Sequence, residues 1–301
     1  MRVDRRTDLL AVGVTDDDIQ RRRRKGTVVS VRAGRYANAG AVATLSPTAR
    51  HRLQAQTAAA DLPSDAALSH ASAACLHGIV LWGVDLRTVQ VVRPGTGGGH
   101  RRTSLHTRFA RLGDEEVVVV GGIRVTSVAR TLVDLGRWLP FESAVVSTDD
   151  ALHRGLVTVE GLAQALARGA GAPQAGRARQ AIAFADARTA SVGESRSRVA
   201  MHEAGLPAPD VQIEVRSGVT GAEVARSDFG WHERRTVGEF DGFVKYGRLL
   251  RPGQQPGDVV FEEKKREDRI RDEGWRVVRW TWHDLDSGTA TKRIERALGL
   301  S

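Results

Sequence analysis

The chain of 301 residues predicts a mixed α/β fold in three segments, residues 1–46, 47–190 and 191–301. The length suits two or three domains. A content of 41% hydrophobic and 27% charged residues is ordinary for a globular protein with buried cores. Helical stretches alternate with short β-branched runs. The small, Gly- and Pro-containing stretch "ARGAGAPQAGRAR" is typical of a linker before the third segment.

The composition argues against several classes of protein. No run of about 18 apolar residues occurs, so we expect no membrane span, and the start "MRVDRRTDLL" lacks the apolar run of a signal peptide. Cys75 is the only cysteine, which excludes an internal disulfide and favours a cytoplasmic location. No small-molecule cofactor is evident, because the glycines of "GTGGGHRR" lack phosphate-binding spacing.

Residues 1–46 predict a helix, a turn, a second helix and a hairpin. "DRRTDLLAVG" predicts a short helix that ends at Gly13. In "TDDDIQRRRRKG" we expect Thr15 to cap a helix with acids in its first turn and bases in its last. Two β-branched runs around Ala33 and Gly34 indicate a hairpin. This order predicts a winged helix-turn-helix, an arrangement that binds DNA.

Positive charge is concentrated in the same segment. The net charge is +9 and the isoelectric point about 10.6, and residues 1–46 hold ten Lys and Arg against five Asp and Glu. Such a surface favours the phosphates of double-stranded DNA. The alternative is that the bases only complement the helix dipole, and the acids of residues 16–18 argue against base readout by the helix N-terminus. The residues predicted to contact DNA are Arg21, Arg22, Arg23, Arg24, Lys25, Arg32 and Arg35.

The middle segment mixes helices and short strands. Helices are predicted at "HRLQAQTAAADL", "SHASAACLHG" and "TSVARTLVDLGRWL", and strands at "TVQVVRP" and "EVVVVGGIRV". His70, Cys75 and His77 invite comparison with a zinc site. Cys75 lies about 140° round the helix from His70, and no fourth ligand is evident. We therefore expect these three residues to pack the helix rather than to bind zinc.

The third segment predicts helices on a small sheet. A helix at "GESRSRVAMHEAGL" precedes strands at "VQIEV", "ARSDFGW" and "TVGEFDG". A basic helix at "EEKKREDRIRDEG", a strand at "WRVVRWTW" and a helix at "ATKRIERALG" come after them. The order is that of a mixed α/β layer.

Three carboxylates define the candidate site of this segment. If Trp231 pairs with Thr236 across the turn, counting places Asp228 opposite Glu239 and Arg226 opposite Asp241, with opposed Cβ atoms about 4.5–5.5 Å apart. Alternation puts the three acids on one face and Phe229, Trp231 and Phe240 on the other, which is the expected core side.

Two like charges facing each other across a ladder need something positive between them. A hard divalent cation fits this requirement, and Mg²⁺ bound by Asp228 and Glu239 would activate water and stabilise a phosphate. The alternative is a solvated hairpin face without metal. The basic helix likewise predicts either phosphate contacts, with Lys264 the best candidate, or a face of self-paired charges.

Residues 191–301 resemble the very-short-patch-repair endonuclease-like domain of unknown function, a branch of the PD-(D/E)XK nuclease superfamily. The resemblance rests on Glu194 in "GESRSR", on Asp228, and on Glu239 and Asp241 in "GEFDG", with the basic helix and strand after them in the expected order. It implies a restriction-endonuclease-like fold and Mg²⁺-dependent hydrolysis of DNA, with Asp228 and Glu239 as metal ligands and Glu194 as a helper acid.

Two features of the sequence depart from that superfamily. Asp241 stands where the superfamily usually has Lys, so the catalytic positive charge would have to come from Lys245, Lys264 or Arg266. Glu194 lies three residues after Ser191, and "SVGE" is also a capping box, which predicts a structural role for the same carboxylate.

The first two segments resemble AbiEi-type antitoxins, the transcriptional repressors of type IV toxin–antitoxin systems. The resemblance rests on "DLLAVGVTDDDIQRRRRKGTVVSVRAGRYA", "LSHASAACLHG" and "TSVARTLVDLGR". It implies DNA binding, autorepression and a possible cognate toxin. The sequence thus leaves two hypotheses, a DNA-binding endonuclease and a non-enzymatic antitoxin or repressor whose nuclease fold is degenerate. A cation that cannot reach Asp228 and Glu239 would favour the second.

Overall fold

The computed structural model describes residues 1–102, 104–242 and 256–300. The chain forms two compact units, Met1–Phe184 and Ala185–Ser301. Helices and sheets occur in both units, which confirms the mixed α/β class. The assignment of the three segments to particular domain folds stays a prediction. None of the helices in the described ranges combines the length and the apolar composition that crossing a bilayer requires.

The first unit begins with the predicted helix, turn, helix and hairpin. The hydroxyl of Thr15 accepts the backbone N–H of Asp18, whose carboxylate accepts the N–H of Thr15, so the predicted cap is confirmed. A short first strand adds to the hairpin and pairs antiparallel with its second arm. The elements are β1 (Asp4–Arg5), α1 (Arg6–Ala11), α2 (Asp16–Arg24), β2 (Val28–Arg32) and β3 (Arg35–Asn38).

The remainder of this unit contains all the helices and strands predicted for residues 47–190. "EVVVVGGIRV" forms a hairpin rather than one strand, because Gly121 and Gly122 adopt φ values of 56° and 80° that turn the chain back. The elements are α3 (Ala39–Ala43), α4 (Pro47–Ala59), β4 (Ala67–Leu68), α5 (His70–His77), β5 (Val89–Pro94), β6 (His100–Arg102), β7 (Leu105–Ala110), β8 (Val117–Val120), β9 (Ile123–Thr126), α6 (Val128–Trp138), α7 (Phe141–His153), α8 (Val159–Arg168) and α9 (Ala175–Phe184).

A six-stranded sheet of order β6-β7-β5-β4-β9-β8 organises this unit. Small residues of α4 and α5, such as Ala55 and Ala73, pack with Leu68, Val91 and Val125 of the sheet in one buried cluster. A second cluster joins α5 to the later helices. Helix α9 begins inside the stretch predicted as a linker, because Ala178 and Ala181 are buried by packing that local composition does not reveal.

The second unit contains every predicted element of residues 191–301 that lies in the described ranges. Strand "WRVVRWTW" ends early, because the hydroxyl of Thr281 accepts the N–H of Asp284 and starts a short helix. The elements are α10 (Val192–Glu203), β10 (Asp210–Arg216), β11 (Glu223–Trp231), β12 (Thr236–Asp241), α11 (Pro256–Asp272), β13 (Arg276–Thr281), α12 (Trp282–Asp286) and α13 (Thr289–Ala297).

The four strands of this unit form a sheet of order β10-β11-β12-β13. The predicted pairing of Trp231 with Thr236 is confirmed, and β13 joins β12 in parallel. Phe229, Trp231 and Phe240 share one buried cluster with residues of α10 and α13, which confirms their predicted core side. Residues of α11 pack with Val237 and its neighbours in a separate cluster.

Helix α10 approaches β12 so closely that only glycine fits at one position. A Cβ atom on Gly193 would lie 1.9 Å from Cε1 of Phe240, far inside van der Waals contact. On the same helix, the hydroxyl of Ser197 accepts a hydrogen bond from the indole N–H of Trp280 at 2.7 Å. Both contacts hold α10 on the core face of the sheet.

We expect Gly193→Ala to lower the free energy of unfolding by about 1–3 kcal/mol, because the added methyl overpacks the core. The control is Gly218→Ala, where the nearest atom to the new Cβ is 3.6 Å away. Urea unfolding monitored by tryptophan fluorescence checks both variants. Equal stability of the two variants would contradict the close packing.

Candidate functional site

The candidate site surrounds a buried carboxylate on β12. Glu239 is only 8% exposed, in the middle of the sheet between β11 and β13. Alternation along β12 places it on the same side as Val237, which packs against α11. Burying a charge without partners is strongly unfavourable, so the surrounding side chains decide what this residue does.

Two guanidinium groups hold the carboxylate of Glu239. Arg266 of α11 donates from Nη2 to Oε1 at 2.6 Å, and Arg279 of β13 donates from Nε to Oε2 at 3.0 Å. The hydroxyl of Ser227 also donates to Oε1, at 3.2 Å. Both carboxylate oxygens therefore accept charge-assisted hydrogen bonds, which are the stronger class.

The two arginines belong to a larger ion network. Arg279 reaches Glu263 at 2.8 Å and Glu267 at 3.2 Å, while Arg266 reaches Glu263 at 3.3 Å. Burial alone would lower the pKa of Arg266, but the hydrogen bond and attraction of Glu239, with smaller contributions from Glu263 and Asp228, raise it. The network ties α11 and β13 to β12.

Asp228 lies close to this network. Its Oδ2 accepts the backbone N–H of Phe240 at 2.9 Å, and its charge contributes to the raised pKa of Arg266. Asp228 and Glu239 thus act on the same guanidinium. The two carboxylates need a positive group near them, and in this structure that group is the guanidinium of Arg266.

The predicted register is only partly correct. The ladder between β11 and β12 runs from Trp231–Thr236 to Phe229–Gly238 and pairs no residue beyond, so the predicted opposition of Asp228 with Glu239 is not part of it. The predicted opposition of Arg226 with Asp241 is also absent from this ladder. Arg226 instead donates to the side chain of Gln212 at 3.1 Å. Gln212 has a φ of 56°, and this irregular backbone on β10 borders the predicted pairing.

Glu194 has the structural role that the capping box predicts. Its N–H donates to the hydroxyl of Ser191, and its Oε1 accepts that hydroxyl at 2.7 Å. Its Oε2 accepts the N–H of Ala190 at 3.1 Å and the amide of Gln212 at 3.0 Å. The carboxylate is buried and holds the start of α10 to β10.

The other predicted catalytic residues lie at the margin of the site. Asp241 is the half-buried last residue of β12 and pairs with Thr281 of β13. Lys264 is exposed on α11, whereas Arg266 on the same helix reaches Glu239. Lys245 lies outside the described residues.

In the described arrangement Glu239 accepts from its own cations, which compete with any Mg²⁺ ion for its oxygens. A magnesium ion needs oxygen ligands with free lone pairs at about 2.0–2.1 Å, but the oxygens of Glu239 already accept from Arg266, Arg279 and Ser227. No group of three or more His, Cys, Asp or Glu able to hold a metal occurs among the described residues. Guanidinium groups therefore contact Glu239, one of the two acids predicted to bind magnesium.

Sequence reasoning missed Arg279 and Ser227. Arg279 pairs with Glu239 across the parallel ladder, forty residues later in the sequence. The available signal was the alternation in "WRVVRWTW", where an arginine replaces an apolar residue on a face that packs inward. No local pattern pointed to Ser227.

The basic end of α2 forms a second candidate site. Arg21, Arg22, Arg23, Arg24 and Lys25 are all exposed. Arg21 contacts Asp18 at 3.2 Å and Arg23 donates to Gln20. Among the described residues, none hydrogen-bonds or ion-pairs with the side chains of Arg22, Arg24 or Lys25. These three cations face solvent and can meet an anionic partner.

Two of the three acids at the start of α2, Asp16 and Asp18, are paired within the segment. Arg6 donates from Nε to Asp16 at 2.8 Å, and this hydrogen bond lowers the pKa of that carboxyl group. The hydroxyl and N–H of Thr15 likewise lower the pKa of Asp18. The acidic first turn is thus held by its own capping and ion-pair partners.

The two predicted wing arginines do not extend into solvent. Arg35 forms an ion pair with Asp61, and its side chain is only 12% exposed. Arg32 is half-buried and lines a cavity of about 670 Å³ with Asp61, Arg93 and Arg101. Their positions argue against the predicted DNA contacts, because both side chains turn towards the body of the first unit.

His77 and Cys75, two of the three residues considered for zinc, are held by the packing of the first unit. Nε2 of His77 lies 2.7 Å from the carbonyl oxygen of Thr126, so this nitrogen donates and is not free to bind metal. Burial raises the pKa of Cys75 to about 12, which keeps the thiol protonated. His70 is buried at the wall of a cavity in the first unit.

Comparison with known proteins gives relatives without an assigned function. The uncharacterized proteins MT2308 and Rv2248 from two strains of Mycobacterium tuberculosis are each 26% identical over 231 residues, which is 76% of this chain and 82% of theirs. The crystal structure of the RV2827C protein from Mycobacterium tuberculosis aligns with a TM-score of 0.41 and 18% identity, covering 61% of this chain and 72% of that one. No family model matches the sequence.

We expect Glu239→Gln to lower the free energy of unfolding by about 1–3 kcal/mol, because two partly buried guanidinium groups lose their charged acceptor. Arg269→Gln, on the exposed face of the same helix, should change it by less than about 0.5 kcal/mol. Urea unfolding monitored by tryptophan fluorescence measures both. If Glu239→Gln were instead more stable, the carboxylate would be repelled by its acidic neighbours in the original protein. That result would be expected of a metal ligand without its metal.

Proposed function

We propose that this protein is a non-enzymatic DNA-binding regulator whose α2 contacts the backbone of double-stranded DNA. The observation that carries the proposal is the exposed cationic end of α2, where Arg22, Arg24 and Lys25 have no hydrogen-bond or ion-pair partner among the described residues. Cations at this position bring their helix to a phosphate backbone. Arg32 and Arg35 are left out of the proposed interface, since the first is half-buried and the second is paired with Asp61.

The resemblance to AbiEi-type antitoxins supports the class of regulator. It implies a repressor that binds the upstream DNA of its own gene, with a cognate toxin as a possible second partner. The C-terminal unit would then serve as a folded body rather than as a nuclease. This role agrees with the capping function of Glu194 and with the two arginines on Glu239.

A binding experiment with matched charge changes tests the DNA interface. The double variant Arg22→Gln, Arg24→Gln should bind duplex DNA from upstream of its own gene more weakly in a gel shift. The slope of log affinity against log salt should fall in magnitude by about 2, because two phosphate contacts no longer release counterions. The control removes two exposed cations elsewhere, through Arg179→Gln and Lys292→Gln. An affinity and salt slope unchanged in the first variant would rule out α2 as the interface.

A Mg²⁺-dependent DNA endonuclease is the second candidate function. It is favoured by one observation, that Asp228 and Glu239 both act on the guanidinium of Arg266, a position from which a cation could act on a phosphate. Purified protein and Glu239→Ala are incubated with supercoiled plasmid and Mg²⁺. Nicking that is lost in the variant supports the endonuclease. Equal traces of nicking in both preparations would point to a contaminant and leave the regulator.

A further inference from the structure

A cavity in the first unit contains buried polar groups that no described residue satisfies. Its volume is about 840 Å³, and its wall comes from β5, β7, α6 and the glycine-rich turn after β5. Sites for small molecules in proteins occupy about 300–1,000 Å³, so the cavity is large enough for a metabolite. It is separate from α2 and from the Glu239 network, so a ligand bound there would be independent of the proposed function.

His70 is a deeply buried titratable group of the wall. It is 4% exposed, its Nδ1 lies 3.0 Å from the hydroxyl of Ser69, and its Nε2 is buried with no hydrogen-bond partner. Its φ is 51°, a left-handed conformation that is uncommon outside glycine. Strained backbone of this kind persists where the surrounding structure fixes a side chain for a purpose.

Arg108 is the second unsatisfied group of the same wall. Its Nη1 is buried without a hydrogen-bond partner, and its guanidinium stands 5.6 Å from the ring centroid of Trp138. Burial lowers the pKa of Arg108, and the partly compensating acid is Asp134. Arg108 is half-buried, and no described acid forms an ion pair with it. A partly desolvated guanidinium is costly unless it is paired and hydrogen-bonded, so an anionic partner would stabilise it.

The neighbouring acids are already engaged by other arginines. Asp134 accepts from Arg130 at 2.9 Å and from Arg137 at 3.1 Å, and Arg130 also contacts Glu116 at 3.0 Å. Asp134 and Glu116, the two acids of the wall, are therefore paired with other arginines, and neither forms an ion pair with Arg108. Ordered water would satisfy hydrogen bonds, but it would not balance this remaining charge.

The chemistry of the two orphaned atoms defines the missing partner. When Nδ1 of His70 accepts the Ser69 hydroxyl, Nε2 carries the proton and donates into the cavity. Burial lowers the pKa of His70 to about 4, which keeps the imidazole neutral and leaves Arg108 as the charged donor. An oxyanion meets both donors, because its oxygens accept from a guanidinium fork and from an imidazole N–H.

We infer that this cavity binds a small anion carrying a phosphate or carboxylate group, held by Arg108 and His70. The anionic group meets the two donors, and the remaining volume accommodates the rest of the molecule. Arg137 also lies 5.9 Å from the Trp138 ring centroid, so the two arginines are packed against one indole. This packing restricts the rotamers of Arg108 before the anion arrives.

The test uses the full chain and three probes, inorganic phosphate, adenosine monophosphate and succinate, which separate phosphate from carboxylate sources. Isothermal titration calorimetry should detect at least one probe at millimolar concentration or below. Arg108→Gln should weaken that binding at least about tenfold, since a charge-assisted hydrogen bond is lost. His70→Asn, which tolerates the positive φ, should weaken it by a smaller factor.

Two controls keep the result specific. Arg179→Gln removes an exposed cation of the same unit and should leave the affinity unchanged. The thermal midpoint of Arg108→Gln without a probe should equal or exceed that of the original protein, because an unpaired buried charge has been removed, and this also verifies folding. Failure of all three probes to bind, or equal affinity in Arg108→Gln, would overturn the inference.

Discussion

The C-terminal unit depends on the neutralisation of one buried carboxylate. Glu239 lies in the centre of a four-stranded sheet at 8% exposure, where an unpaired charge would cost several kcal/mol. Arg266 and Arg279 come from a helix and from a neighbouring strand. The same ion pairs therefore satisfy the charge and determine how α11 and β13 dock on β12.

The two units manage positive charge in different ways. Residues 191–301 contain nineteen bases and nineteen acids, and the arginines nearest Glu239 are shared among three glutamates. The first unit carries the excess. Part of it is exposed on α2, and part belongs to the half-buried Arg108, whose Nη1 is buried. Charge that is balanced inside the protein stabilises a fold, whereas charge without an internal partner is available to a ligand.

Much of the local structure could be predicted from the sequence because its signals are local. Thr15 and Asp18 form the expected cap, Ser191 caps the helix that contains Glu194, and the turn length correctly paired Trp231 with Thr236. The candidate site was harder to predict because its partners are distant in sequence. The predicted pairing of Asp228 with Glu239 assumed a regular ladder and did not include the irregular backbone at Gln212. No local sequence pattern links Glu239 to Arg279. The ion pair of Arg35 with Asp61 was missed for the same reason.

The parallel pairing of β12 with β13 has a consequence for synthesis on the ribosome. Thr236 pairs with Arg276, and Glu239 with Arg279, so the free side of β12 is covered by a strand that is synthesised about forty residues later. Until that strand leaves the exit tunnel, the nascent hairpin of β11 and β12 presents an open edge and a carboxylate without its second arginine. Such an edge is exposed to aberrant strand addition. Charged side chains on an unpaired strand discourage such addition, so the carboxylate of Glu239 acts against aberrant pairing until β13 covers that edge.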